Sequence, residues 1–172
     1  DPDSNKVIPA QGIPPVVNGF DENAVEAALR LKDSGDVDKI TVISVGNNFV
    51  MDVMKKPLSM GADRLVLVED AAVDNLDAYA TAYALSETIK KIGEYDLVLC
   101  GIQGYALGGG LQLALASDIR VATEDAKLGL PAINESIVPG LSAFRLPRYV
   151  GWGRAKRMVL TGENVDGREA HA

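Results

Sequence analysis

A glycine-rich segment, GYALGGG at residues 104–110, carries the clearest chemical signal in the sequence. It follows an apolar stretch at 96–101 that is typical of a buried strand, and an apolar helical pattern begins at Leu111. Glycines leave backbone N–H groups open to a ligand, and N–H groups at the start of a helix favour an anion. The sequence therefore predicts an anion-binding turn between a strand and a helix.

Other residues offer less chemistry. Cys100 lies near the end of the predicted strand, where a cysteine without a neighbouring base is expected to be a small core residue. The sequence has one histidine, His171, and one cysteine, so a metal site would need carboxylates for its other ligands. No metal site is therefore expected.

Composition bounds the class of protein. The chain has 172 residues with 47% hydrophobic content, which suffices for one ordinary domain or two small ones. A net charge of −7 argues against a nucleic-acid surface, because phosphate backbones require large clusters of cations. The local basic group is small and consists of Arg145, Arg148, Arg154, Lys156 and Arg157.

Membrane and secretory features are not expected either. No apolar run approaches the roughly 20 residues of a membrane span, and residues 1–4 lack signal-peptide character. A single cysteine fits a reducing compartment. We therefore expect a soluble, unsecreted protein of the cytoplasm or the mitochondrial matrix.

Apolar periodicity predicts alternating strands and helices. The predicted helices span residues 22–32, 49–60, 78–92 (capped by Asp77), 111–117, 141–150 and 152–160. The predicted strands span residues 39–45, 64–68, 96–101 and 119–123. Residues 1–19 are rich in proline and glycine and predict an extended lead-in with at most a short strand at 16–17. This alternation predicts an α/β fold with a mostly parallel sheet.

Residues 1–103 resemble the β subunit of electron-transfer flavoproteins. The segments that carry the resemblance are VNGFDENAVEAALRLK at 17–32, TVISVG at 41–46, SMGADR at 59–64 and DLVLCGIQ at 96–103. The family implies a doubly wound nucleotide-binding fold with its first strand upstream of Asp1, AMP in the β subunit, and an α-type partner with most of the FAD contacts.

The resemblance also implies positions for the AMP contacts. One set lies around the start of the first predicted helix, at Asn18, Gly19, Phe20 and Asp21. The others lie at Val45 and in the loop that begins with Gly104. That loop departs from the family, which has an Ala-Ile-Asp-Gly-Asp-like run there. An alternative interpretation of Asn18 and Asp21 is helix capping.

Residues 104–172 resemble the crotonases, the enoyl-CoA hydratases and isomerases. The segments that carry this resemblance are GYALGGGLQLALASDIRVA at 104–122, AKLGLP at 126–131, IVPG at 137–140, RLPR at 145–148 and LTGE at 160–163. The family implies that the Gly109 N–H forms half of an oxyanion hole for an acyl-CoA thioester. Its two catalytic glutamates align with Gln112 and Ala132, so classical hydration is not expected, and Glu135 is the candidate lone acid or base.

The combined expectation is a doubly wound, mostly parallel sheet of nucleotide-binding type, continued by a crotonase-like βα segment and C-terminal helices. Residues 1–103 and 104–172 are the two segments of an apparent chimera, either separate or packed as one domain. Three functions stay open: an impaired flavoprotein β-subunit-like electron-transfer module of acyl-CoA oxidation, a crotonase-like acyl-CoA lyase or isomerase, and a folded chimera without activity. Whether the chain is an enzyme and whether it forms a homo-oligomer also stay open.

Overall fold

A computed structural model describes residues 15–76 and 78–172. The predicted helix cap at Asp77 and most of the proline-rich lead-in lie outside the described residues. The described chain has a mixed α/β architecture with three small sheets.

The elements follow the sequence in this order. The helices are α1 (Gly19–Asp33), α2 (Met51–Met54), α3 (Lys56–Met60), α4 (Ala78–Ile92), α5 (Gly109–Ala116), α6 (Ser142–Thr161) and α7 (Gly167–His171). The strands are β1 (Thr41–Gly46), β2 (Arg64–Glu69), β3 (Leu99–Ile102), β4 (Tyr105–Leu107), β5 (Ile119–Ala122), β6 (Lys127–Gly129) and β7 (Val165–Asp166). Two 3₁₀ turns span Ala71–Asn75 and Pro131–Glu135.

The strongly periodic elements are confirmed, and three predicted helices differ in detail. The helix predicted at 49–60 is divided at Lys55 into α2 and α3, because Pro57 lacks the N–H that a continuous helix needs. The two helices predicted at 141–150 and 152–160 form the two halves of α6, which a non-helical Gly151 (φ 76°, ψ 163°) separates.

The strands form separate pairs rather than one sheet. Strands β1 and β2 pair in parallel with Ile43 opposite Val66, and β3 pairs in parallel with β5, with Gly101 opposite Val121. Strand β6 pairs in parallel with β4 and antiparallel with β7. The expected single doubly wound sheet is therefore divided: within the described residues no strand joins β1 to β3, and α4 packs against β1 while α1 packs against β3 and β5.

The β3–β5 pair joins the two segments that the sequence distinguishes. Strand β3 ends the flavoprotein-like segment, and β5 belongs to the crotonase-like segment. Helix α1 from the first segment contacts both strands. Residues on either side of position 103 therefore share one sheet and one covering helix.

The deepest core lies in the C-terminal part of the chain. Its buried members are Ile102, Ala106, Leu111, Ala114, Leu115, Ala126, Leu128, Leu130, Leu146, Ala155 and Met158. By contrast, every residue of β1 is only half-buried. The β1–β2 unit is thus covered more thinly than the β4–β6 unit, and we expect it to open more easily.

Strand β6 approaches the chain before β7 without room for a side chain. A Cβ atom at Gly129 would overlap the Asn164 Oδ1 atom and would lie 3.3 Å from the Asn164 Cα atom. The absence of a side chain at Gly129 therefore allows the β6–β7 contact.

We predict that Gly129→Ala lowers the free energy of unfolding by about 1–3 kcal/mol, because the added methyl group overpacks this contact. Gly153→Ala is the matched control: this glycine is helical, an added methyl group would meet no atom within 4 Å, and alanine favours the helix by about 0.5–1 kcal/mol. Urea unfolding of both variants measures the difference. Equal stabilities would contradict the proposed packing.

Candidate functional site

The glycine-rich turn contains a short strand. Gly104 (φ 63°) and Gly108 (φ 52°) adopt conformations that favour glycine, and β4 lies between them. The Gly104 carbonyl accepts a 2.5 Å hydrogen bond from the Lys127 N–H, and the Gly108 N–H donates to the Gly129 carbonyl at 3.0 Å. The predicted open loop is therefore wrong at residues 105–107, because β6 supplies a pairing partner that lies too far away in sequence for periodicity to reveal.

The start of α5 presents backbone donors. Gly108 precedes the helix without a side-chain cap, and its carbonyl accepts the Gln112 N–H at 3.1 Å. Among the hydrogen bonds of the described residues, the N–H groups of Gly109 and Gly110 have no acceptor. Two unpaired donors at the positive end of a helix favour an anionic or strongly polarised oxygen.

The neighbouring 3₁₀ turn carries the candidate acid or base, Glu135. It begins two residues after Gly129, the strand residue that Gly108 contacts, and ends at Glu135. Glu135 is exposed, and in the described part of the chain its side chain forms no hydrogen bond or ion pair. Gln112 and Ala132 are half-buried. The unpaired donors near Gly109 therefore support oxygen binding, and the role of Glu135 stays a prediction.

The flavoprotein-like candidates lie at the start of α1. Asn18 precedes the helix and its carbonyl accepts the Glu22 N–H at 3.1 Å, while Gly19 and Phe20 open the first turn. The side chain of Phe20 lies outside the described atoms. The backbone geometry agrees with the helix-start position that both interpretations of Asn18 require.

The charge at this helix start is negative. Asp21 and Glu22 both lie in the first turn, where carboxylates stabilise a helix through its dipole. Asp21 keeps contact with solvent, yet neighbouring atoms desolvate its carboxyl group and raise its pKa. A ligand phosphate would be repelled here, whereas carboxylate oxygens can accept hydrogen bonds from hydroxyl or amino groups.

A cleft of about 350 Å³ lies beside the start of α1. Its walls come from the chain just before Asn18 and from α2 and α3, and consist of Pro15, Val16, Val17, Asp52, Val53, Lys55, Lys56 and Ser59. Lys56 forms a 2.5 Å ion pair with Glu22, whereas Lys55 is exposed and forms no ion pair within the described residues. The cleft therefore combines apolar walls with an exposed lysine that can meet an anion.

Val45 lies near the end of β1, opposite Val68. It is half-buried, and β1 ends at the next residue, Gly46, before α2 begins. Among the residues assigned to AMP, Asn18 directly follows the lining residue Val17, and Val45 lies on the strand that precedes the lining residues of α2. A second cleft, of about 370 Å³, has mixed charges from Glu124, Asp125, Lys127, Asp166 and Arg168, with Arg168 paired to Glu124.

Cys100 lies on β3, against which α1 packs. Burial, and to a smaller extent the negative charge of Asp21, raise the pKa of the Cys100 thiol. A thiol with a raised pKa is a poor nucleophile at neutral pH. The interpretation of Cys100 as a packing residue agrees with this setting.

Arg120 is a structural residue that sequence reasoning missed. Its guanidinium donates to the Ser117 carbonyl at 2.6 Å and the Ala114 carbonyl at 3.2 Å, and it lies over the Tyr149 ring at 4.6 Å. It thereby caps the C-terminal end of α5 and links it to α6. The sequence feature that could have indicated this role is a cationic residue soon after the end of a predicted helix.

Within residues 15–76 and 78–172, no three His, Cys, Asp or Glu side chains come together as a metal site. The helices there are too short or too polar to cross a membrane.

Comparison with known proteins confirms both resemblances. Residues 6–124 match the family described as the electron transfer flavoprotein domain, a range that extends through the glycine-rich turn. The electron transfer flavoprotein subunit beta of Megasphaera elsdenii is 43% identical over 109 residues, covering 60% of this chain and 40% of that protein. A probable enoyl-CoA hydratase of Bacillus subtilis is 53% identical over 74 residues, covering 42% of this chain and 29% of that protein.

A solved enoyl-CoA hydratase from Bacillus anthracis is 27% identical, with a TM-score of 0.46 over 87% of this chain and 54% of that structure. The chain spans less than half the length of the two relatives matched by sequence.

Proposed function

The chain belongs to the electron transfer flavoprotein domain family, and we propose that it is a β-subunit-like module that holds AMP beside an α-type flavoprotein partner in acyl-CoA oxidation. The observation that carries the proposal is the cleft between the start of α1 and the α2–α3 pair, because its lining residues Val16 and Val17 directly precede Asn18, where AMP contacts are expected. Its volume of about 350 Å³ falls within the range of small-molecule sites.

The strand order supports a nucleotide-binding sheet. Doubly wound sheets commonly have the order 3-2-1-4-5, and their ligands bind at the carboxyl ends of strands where the order reverses. If the first strand precedes Asp1, then β1, β2, β3 and β5 are the second to fifth strands. In the structure β2 pairs with β1 and β3 pairs with β5, and both pairs are neighbours in the order 3-2-1-4-5.

The same order predicts where the ligand lies. In this order the reversal falls between the first strand, which neighbours β1, and β3. Val45 lies near the carboxyl end of β1, and Gly104 follows that of β3. Both residues were assigned to the AMP site from the resemblance. The division of the sheet therefore occurs at the place where the nucleotide is proposed to bind.

The charges suggest an orientation for AMP. Asp21 accepts hydrogen bonds from the ribose hydroxyls or the adenine amino group, because its carboxylate repels phosphate. Val16 and Val53 provide apolar contacts for the base, and Lys55 attracts the phosphate. AMP carries no redox chemistry, so electron transfer would require FAD, most of whose contacts would come from the α-type partner.

The proposed electron-transfer function is impaired relative to the family. The loop after Gln103 is replaced, and Tyr105–Leu107 is committed to pairing with β6. Backbone groups that are committed to a strand pair cannot also hold a phosphate. We therefore expect weaker AMP binding than in the related β subunits.

We predict that AMP at 100 times its Kd raises the free energy of unfolding by about 2.7 kcal/mol. Lys55→Ala should weaken AMP binding by about tenfold, since a charge-assisted contact contributes about 1.5–3 kcal/mol. The matched control is Lys91→Ala on α4, which also removes an exposed lysine that forms no ion pair within the described residues. Thermal unfolding and isothermal titration calorimetry measure both effects.

Two outcomes would contradict this proposal. One is cooperative unfolding that AMP does not shift. The other is an equal loss of AMP affinity in the Lys55→Ala and Lys91→Ala variants, which would place the nucleotide away from the cleft.

The unpaired N–H groups of Gly109 and Gly110 favour a second candidate function. We propose that these groups bind the thioester oxygen of an acyl-CoA and stabilise an enolate, as a crotonase-like lyase or isomerase would. The absence of carboxylates at Gln112 and Ala132 excludes the two-glutamate hydration pathway, and leaves Glu135 as the candidate acid or base. If neither ligand binds, the third alternative, a folded chimera without activity, applies.

We predict that Gly109→Pro abolishes any stabilisation by a short acyl-CoA, because proline lacks the N–H donor and is tolerated at the first position of a helix. Gly110→Ala is the control, because it keeps its N–H and its added methyl group meets no atom within 4 Å. Thermal unfolding with and without butyryl-CoA measures the effect. An unchanged shift in Gly109→Pro would exclude this donor.

A further inference from the structure

Both halves of α6 expose large apolar side chains. Phe144 in the first half is 71% exposed and Trp152 in the second half is 67% exposed, while Leu146 and Met158 are buried. The residues just before the helix also expose apolar side chains, with Val138 82% exposed. An apolar surface of this extent is typical of a contact with another molecule.

The charge of this surface indicates the chemistry of its partner. No Asp or Glu occurs between Glu135 and Glu163, whereas this interval contains five of the 17 Lys and Arg residues. Arg157 pairs with Glu163 and Glu169, but Arg148 and Arg154 form no ion pair within residues 15–76 and 78–172. We call the exposed side chains of Val138, Leu141, Phe144, Arg148 and Trp152 the basic face. Its partner should combine apolar and acidic groups.

The same chain carries such a surface in the loop between α4 and β3. Tyr95 is 57% exposed and Leu97 is 44% exposed, and the carboxylates of Glu94 and Asp96 flank them. We call these four residues the acidic loop. All 24 acidic residues lie outside the interval that contains the basic face, so a second copy of the chain can supply the negative charge that this face requires. Two basic faces would repel each other.

The two surfaces are neighbours. The Tyr149 hydroxyl on α6 donates to the Leu115 carbonyl of α5 at 3.1 Å. Three residues later, the Asp118 carboxylate accepts the Val98 N–H at 2.8 Å, beside the acidic loop. The C-terminal end of α5 therefore connects the basic face to the acidic loop.

We propose that the chain forms a twofold dimer in which the basic face of each copy contacts the acidic loop of the other. Complementary patches that lie side by side meet twice under a twofold rotation, so the assembly closes. An aromatic side chain buries about 150–250 Å², so Tyr95, Phe144 and Trp152, each more than half exposed, contribute about 400 Å² per copy. The exposed aliphatic side chains of Leu97, Val138 and Leu141 add to this area. Flanking polar residues bring this near the roughly 800 Å² per partner of a stable interface.

Charge reversal tests the proposed contact. Sedimentation velocity at several concentrations should show a dimer that weakens at high salt. Arg148→Glu and Asp96→Arg should each weaken association by about tenfold or more, and the double variant should restore it. Arg30→Glu on α1 is the control, since Arg30 lies outside both patches and forms only an exposed ion pair. Circular dichroism checks that every variant folds.

Three results would overturn the dimer. The first is a wild-type chain that stays monomeric at all concentrations. The second is association that Arg148→Glu and Asp96→Arg leave unchanged. The third is a monomer that binds vesicles containing phosphatidylserine through Trp152, because the basic face would then be a membrane contact.

Discussion

The parallel pairing of β3 with β5 is the constraint on which the rest of the structure depends. Two parallel neighbours require a crossover, and residues 103–118 provide it through β4 and α5. The pairing thereby fixes where the glycine-rich turn lies, at the carboxyl end of β3. It also brings Asp118 to the Val98 N–H and lets α1 cover strands from both segments. The turn is thus both the connection between two family resemblances and a consequence of the sheet they share.

Sequence periodicity predicted the elements that repeat over several turns and missed those that depend on distant partners. The 15 residues of α4 present enough apolar positions to define a helix, whereas β4, β6 and β7 have three or two residues and no pattern. The glycines at 104 and 108 were recognised from residue type. The hydrogen bond from the Lys127 N–H to the Gly104 carbonyl could not be recognised, because three elements (β4, α5 and β5) lie between these residues in sequence.

The candidate sites show the same division. Helix-start positions such as Asn18 and Gly109 follow from local sequence, and the structure places both at helix starts. The cleft walls supplied by Val53 and Lys55, and the Arg120 cap on α5, follow from tertiary packing that a single sequence does not display. Each site also departs from its family in one aspect of its chemistry: the loop after Gln103 differs from the flavoprotein pattern, and the α5 start has Gln112 where the crotonase pattern has a glutamate. These departures favour binding over catalysis.

Amide hydrogen exchange across a denaturant series tests most directly whether β3–β5 unites the two segments. We predict that the amides of Leu99–Ile102 and Ile119–Ala122 exchange through one shared opening with the same free energy, because each strand loses its partner when the other unfolds. The thinly covered β1–β2 unit should open at lower free energy. Exchange of the β5, α5 and β6 amides only on global unfolding, with β3 amides exchanging at the rate of an unfolded chain, would show that β3–β5 does not unite the two segments.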